Sequence, residues 1–183
     1  RFGIRGLTQS SKFIYAAGFN FILEISKKNL RLNRILSNRL MNDLHGICYY
    51  NGLLYFCLTG KDTLVATNLN GKVVSTFTIE KNLSIIKNDK KLLNKDWRFV
   101  NKLLRGPSGL FHFNYVNFIN NKAYLTSRNL SSLVKLNKKD SEIITIHSKE
   151  RLMLHDGVKY KKKIYFTTVN GKIIVADWGI KNF

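Results

Sequence analysis

The chain is poor in acid. Its 183 residues hold 11 Asp and Glu against 31 Lys and Arg, a formal net charge of +20. Carboxylates this few and this scattered do not supply the oxygen-rich cage that calcium requires. Proline occurs once, and no apolar run approaches the roughly 18 residues of a membrane-crossing helix, so no transmembrane segment is expected. No basic region followed by an apolar stretch comes after Arg1. There are two cysteines, Cys48 and Cys57, and no Cys/His zinc spacing. They fall on consecutive predicted strands, where a disulfide is geometrically open. Unpaired core thiols are the more common state of such residues. The nucleophile elbow, the P-loop and the HExxH zinc helix are all missing. "Arg105-Gly106-Pro107-Ser108-Gly109" holds a serine between small residues and reads as a turn.

What is present is apolar. Hydrophobic residues make up 44% of the chain, enough for a sizeable core and too many for a disordered one. The positive charge has two readings. One is codon bias toward Lys, Asn and Ile, which explains the lysines but not the shortage of acids. The other is an electropositive face for nucleic acid, anionic glycan or anionic lipid. Many of the lysines sit in predicted turns, as at Lys161-Lys162-Lys163, and no known nucleic-acid module accompanies them. Nucleic acid is therefore not the expected partner.

The dominant signal is internal repetition with a period near 40 residues. Tyr15, Tyr55, Tyr124 and Tyr165 are its fixed points, inside "SSKFIYAAG", "YNGLLYFCLTG", "INNKAYLTS" and "YKKKIYFTT". Each copy has an inner strand, a polar turn, a Tyr-bearing strand and a third strand. A fourth strand follows in three copies, at Leu32–Leu36, Val73–Thr78 and Glu142–Ile146. β-Branched and aromatic residues fill these runs, and Asn, Asp and Gly fill the turns. The prediction is an all-β fold, a β-propeller of four-stranded antiparallel blades. Three blades are complete and one is partial, over about 5–39, 44–80, 113–148 and 154–183. Open edges are an aggregation liability that propellers avoid by closing, so a piece of a six- or seven-bladed ring is expected.

One stretch breaks the period. Arg5, His45, Asn114 and His155 stand 40, 69 and 41 residues apart, and the excess lies in an inter-blade insertion over 81–109. There Leu92, Leu93, Trp97, Val100, Leu103 and Leu104 recur near helical spacing, which predicts a short amphipathic helix. It serves either as a plug on the next sheet or as a lid that carries Trp97 to the ring mouth.

The four period-marking residues begin the inner strands, which line the channel of a propeller. Arg5, His45, Asn114 and His155 are thus expected to converge on one mouth. His112, two residues before Asn114, would share its face, and Asp43 would orient the His45 ring. His45, Asn114 and His155 are the candidate metal ligands, with His45 or His155 as base if the site is catalytic. The competing reading is that such residues bond the next blade and hold the ring together. Asp156 should point away from its neighbour His155. His147 should lie on the surface, and the repeat aromatics should be packing residues.

The unit "LHGICYYNGLLYFCLTGKDTLVATNLNGKVV" resembles the NHL-like, strictosidine-synthase-like and gluconolactonase-like propellers. The resemblance implies a fold more than an activity. Lactonases of that group hold a divalent metal through Glu, Asn and Asp at the mouth, and only Asn114 has a matching type. Lyases of the group use a mouth histidine, a part that His45 or His155 would take. The expectations are a propeller binding a polar or anionic small molecule or glycan, a metal-dependent lyase or hydrolase at the same mouth, or a polyanion-binding scaffold.

Overall fold

The structure is a computed structural model that describes residues 3–98, 109–137, 139–145 and 151–177. It is built from four antiparallel sheets in propeller-like order. The first sheet holds β1 (Gly6–Gln9), β2 (Phe13–Ala17), β3 (Ile22–Ser26) and β4 (Leu32–Leu36). The second holds β5 (Leu44–Tyr50), β6 (Leu53–Leu58), β7 (Thr63–Thr67), β8 (Val73–Ile79) and β9 (Ile85–Lys87). The third comprises β10 (Phe113–Ile119), β11 (Lys122–Ser127), β12 (Ser132–Leu136) and β13 (Ser141–Thr145). Three described strands make the fourth: β14 (Val158–Tyr160), β15 (Lys163–Thr167) and β16 (Ile173–Asp177).

The repeat is kept down to the register. The tyrosines pair across the inner hairpin with Thr8, Cys48, Asn117 and Val158, the same offset in all four sheets. The turns between these strands follow from sequence. Asn51-Gly52 and Asn120-Asn121 have positive φ at both positions, as tight hairpin turns demand and as Asn and Gly tolerate.

Strand alternation then builds a core between each pair of sheets. Tyr15, Ala17 and Ile22 of the first sheet meet Leu54, Phe56 and Val65 of the second. Cys57 and Leu64 on the opposite face of the second sheet meet Phe113, Leu125 and Val134 of the third. Ile119 and Leu133 meet Ile164, Phe166 and Ala176 of the fourth. The repeat tyrosines do not all play one part. Tyr15 is fully buried, whereas Tyr165 is 36% exposed on the far face of the fourth sheet.

Inner strands approach closely. A Cβ on Gly6 would lie 2.3 Å from the His45 carbonyl oxygen, and one on Gly46 would lie 2.5 Å from the Tyr115 Cα. Only glycine fits these crossings.

The 81–109 region differs from its expected form. Ile85–Lys87 adds a fifth strand to the second sheet, because the turn at Glu80–Ser84 folds it back on β8. The described helix, α1, is a single turn at Lys90–Leu93, capped by the Asp89 carboxylate on the Lys91 N–H. It ends there because the next residues dock on the first two sheets: Trp97 donates its backbone N–H to the Arg39 carbonyl and accepts from the Asn42 amide. Val100, Leu103, Leu104, Ser108, Ile146 and His147 lie outside the described residues.

Candidate functional site: the inner-strand mouth

Three imidazoles meet where the inner strands begin. The His45 ring lies 5.9 Å from that of His112 and 5.8 Å from that of His155, centroid to centroid. His45 lies in the inner strand of the second sheet, and His112 and His155 stand just ahead of the inner strands of the third and fourth. Arg5 reaches them from the first: its Nη1 is 2.6 Å from Asp43 Oδ1 and 3.2 Å from His45 Nε2. The residues that open the inner strands thus stand together, though 38 or more positions separate Arg5 from its two partners in the chain.

The local backbone differs from plain strand alternation. Asp43 and His112 both sit at positive φ, and a bulge interrupts β10 between Phe113 and Tyr115. His112 therefore nears His45 through a kink ahead of the strand, not through the i, i+2 rule. His155 also precedes its strand, which starts at Val158; its backbone N–H is held by the Thr167 carbonyl at 2.8 Å. The expected opposition of His155 and Asp156 fails for that reason: His155 Nδ1 is 3.8 Å from Asp156 Oδ1, since alternation governs strands and this segment is not one.

Charge at the mouth is largely balanced. Desolvation lowers the pKa of His45, and the nearby guanidinium of Arg5 adds to this, against the raising pull of Asp43. The neighbouring His155 imidazole, with help from the Thr167 hydroxyl, holds the Asp156 carboxyl below its usual range. Asp43 was expected to orient His45. It lies 3.6 Å from Nε2, too far for a hydrogen bond, and its short contact is with Arg5.

Asn114 bridges sheets. Its amide donates to the Leu154 carbonyl at 3.5 Å, and its Oδ1 is buried with no hydrogen-bond partner among the described residues. Nearby, Thr59 bonds the Phe113 carbonyl and Asn117 the Gly157 carbonyl. Trp97 stands apart from the imidazoles. Its indole donates to the Leu92 carbonyl at 3.0 Å, and Lys61 and Lys95 cover its ring at 4.4 and 4.6 Å. It packs on the core of the first two sheets, as a plug would.

Among the described residues no three His, Cys, Asp or Glu side chains are grouped to hold a metal ion. The Arg5 guanidinium lies against the Nε2 atom of His45. The cysteines are free thiols. Burial pushes Cys48 up to about 11, and Cys57 is pushed up further still. Cys48 holds the repeat position of Thr8 and Asn117. Thr8 accepts the Tyr49 N–H of the second sheet and Asn117 donates to the Gly157 carbonyl ahead of the fourth, so that this position ties neighbouring sheets.

Two buried carboxylates are not singled out by the sequence pattern alone. Asp62, at the end of the turn after β6, accepts the backbone N–H groups of Phe111 and His112 from the third sheet at 3.0 to 3.2 Å. Burial pushes it up to about 6 despite those bonds. Its role depends on Gly109, where a Cβ would meet the carboxylate at 2.3 Å. Glu24 is held by Arg34 and Asn33, and Arg34 continues to the Leu69 carbonyl on the second sheet. A lone Glu among β-strand residues, paired across strands with Arg34, was the one legible hint.

No family model matches the chain, and no characterised protein matches it by sequence. Solved structures do match. Glutaminyl cyclase from Myxococcus xanthus superposes with TM-score 0.59 at 14% identity, over 97% of this chain and 75% of that one. A catalytically inactive virginiamycin B lyase from Staphylococcus aureus, solved with quinupristin, gives 0.55 at 12%, over 93% and 64%. A nidogen/laminin complex gives 0.55 at 12%, over 99% and 78%. The fold is a β-propeller. Propellers of this kind include enzymes and binding proteins, and at these identities the likeness shows the fold alone.

Proposed function

We propose that this propeller is a ligand-binding module whose mouth takes a polar small molecule or glycan between His45, His112 and His155. The observation that carries this reading is the meeting of three imidazoles where three inner strands begin, with the His155 side chain 40% exposed and so reachable from solvent. A neutral imidazole both donates and accepts, which suits hydroxyl and carbonyl groups. Arg5 makes the anionic ligand an extension of the same reading, because its guanidinium is a permanent cation beside His45. Asn114 supports the mouth by fixing the third sheet to the segment that carries His155. Kinship with the NHL-like and gluconolactonase-like propellers belongs to this proposal, and rests on the repeat unit. The lactonase-type metal is not part of it, because of the Glu, Asn and Asp ligands which that resemblance implies only Asn114 has a matching type.

The test is a titration of the purified protein with glucose, gluconate, citrate and inorganic phosphate, followed by NMR of the histidine rings. Saturable shifts of the His45 and His155 signals, abolished in His155→Ala, are expected. Rings that no probe moves, or binding that survives His155→Ala unchanged, would overturn the proposal. Binding of heparin that weakens steeply with salt and ignores both histidines would favour a polyanion scaffold instead.

A further inference from the structure

A cavity lies away from the mouth, between the second and third sheets. Its volume is about 540 Å³, within the size range of small-molecule sites. Tyr55, Leu64 and Phe77 of the second sheet form one wall, and Phe118, Ala123 and Leu136 of the third form the other. The walls are thus apolar and rich in aromatic rings. Phe118 stacks on Tyr50 at 4.1 Å and tilts against Tyr55 at 4.5 Å, which fixes the ring planes at one end.

The cavity occurs where the repeat is interrupted. The turn between β8 and β9 crosses from the second sheet to the third: the Leu83 carbonyl accepts from the Ser141 N–H at 2.8 Å and from its hydroxyl at 2.9 Å. Ile85 donates in return to the Lys139 carbonyl at 3.2 Å. This strap braces the two sheets against each other, so the space between them is held by backbone bonds as well as by side-chain packing.

The polar residues lining it are unlike the walls. Among the described lining residues they are Asn121, Lys122 and Asn137, and the Asn137 amide is taken by the Asp140 carboxylate at 3.0 Å. Asn121 accepts the Tyr50 hydroxyl on its Oδ1, which leaves its amide hydrogens as donors. Lys122 adds an exposed ammonium beside it. An apolar slot with a donor-rich, cationic rim matches a flat apolar molecule that ends in an anion.

We infer that this cleft binds a planar aromatic or polycyclic small molecule bearing one carboxylate or sulfonate, with the rings between Tyr55, Phe77 and Phe118 and the anion at Lys122 and Asn121. The site is independent of the mouth.

Two fluorescent probes test this. 8-Anilinonaphthalene-1-sulfonate carries the rings and the anion; N-phenyl-1-naphthylamine carries the rings alone. Saturable binding of the anionic probe at one site per chain is expected. Lys122→Glu should weaken it tenfold or more while leaving the neutral probe within twofold. Ala123→Phe and Leu136→Trp fill the slot and should each weaken both probes at least tenfold, with circular dichroism melts confirming the fold. His155→Ala should change neither. Absence of saturable binding, or affinity that ignores Lys122→Glu in the folded variant, would overturn the inference. Because Lys122 is exposed, that variant reports even where a cavity-filling one fails to fold.

Discussion

Arg5 Nη1 lies 3.2 Å from His45 Nε2. A guanidinium has no acceptor, so Nε2 must present its lone pair and the ring proton must sit on Nδ1. His45 is therefore neutral in the fold, in accord with the lowering of its pKa by burial.

Arg5→Met should raise the His45 pKa. The substitution removes a nearby positive charge and frees Asp43, 3.6 Å away, to pair with an imidazolium. An NMR titration of the ring Cε1 proton measures the midpoint, and a midpoint that stays put or falls contradicts the argument. The linkage sign follows. In the wild type the depressed pKa contributes stability that is present above the unfolded value of about 6.5 and is lost as pH falls through the folded one.

Asp62 has the opposite sign. Burial pushes its pKa from 3.8 up to about 6, so folding favours the protonated form. The site is most favourable below the unfolded pKa and loses that advantage as pH rises from about 4 to 6, by on the order of 3 kcal/mol. Asp62→Asn should remove this trend. Urea denaturation of both proteins across that window should show the wild type losing ground to the variant with rising pH. Parallel curves would disprove it.

Glu24 and Arg34 join the first two sheets. Burial pushes the Glu24 carboxyl up, but its bonds to Arg34 and Asn33 outweigh that and leave it below its usual range. Arg34→Met should cost about 2–3 kcal/mol, less than for a fully buried pair because Arg34 is partly exposed. Adding Glu24→Gln should recover part of that loss, since it removes the stranded charge. Chemical denaturation of the single and double variants checks both statements.

Gly46→Ala should destabilise by about 2–4 kcal/mol. The new methyl would meet the Tyr115 Cα at 2.5 Å and the Asn114 carbonyl oxygen at 2.6 Å, backbone atoms that cannot swing aside. Gly3→Ala, with nothing within 4 Å, is the control and should be neutral. Thermal melts compare them, and equal melting temperatures would contradict the close-crossing account.

Much of the fold could be read from the chain because its information is local. The Tyr-centred runs alternate with period two, and Asn51-Gly52 and Asn120-Asn121 mark hairpin turns. Leu32–Leu36 is a strand just as its residues suggest. The mouth was legible only in outline. The repeat identified Arg5, His45, Asn114 and His155 as equivalent, but equivalence of position is not equivalence of role. Asn114 turned to bond Leu154, and His155 stood outside its strand. Trp97 looked helical by spacing, yet its backbone is held by Arg39 and Asn42.

The sequence by itself determined the repeating unit, its strand order and the face taken by residues inside regular strands, because turn chemistry and alternation act over a few neighbouring residues. Only the tertiary structure decided which units touch and through what. Asp62 meets Phe111 across 49 positions and Arg5 meets Asp43 across 38. Burial at those meetings sets the charge states, and the crossing of β8–β9 to the third sheet leaves a cleft that no single repeat contains.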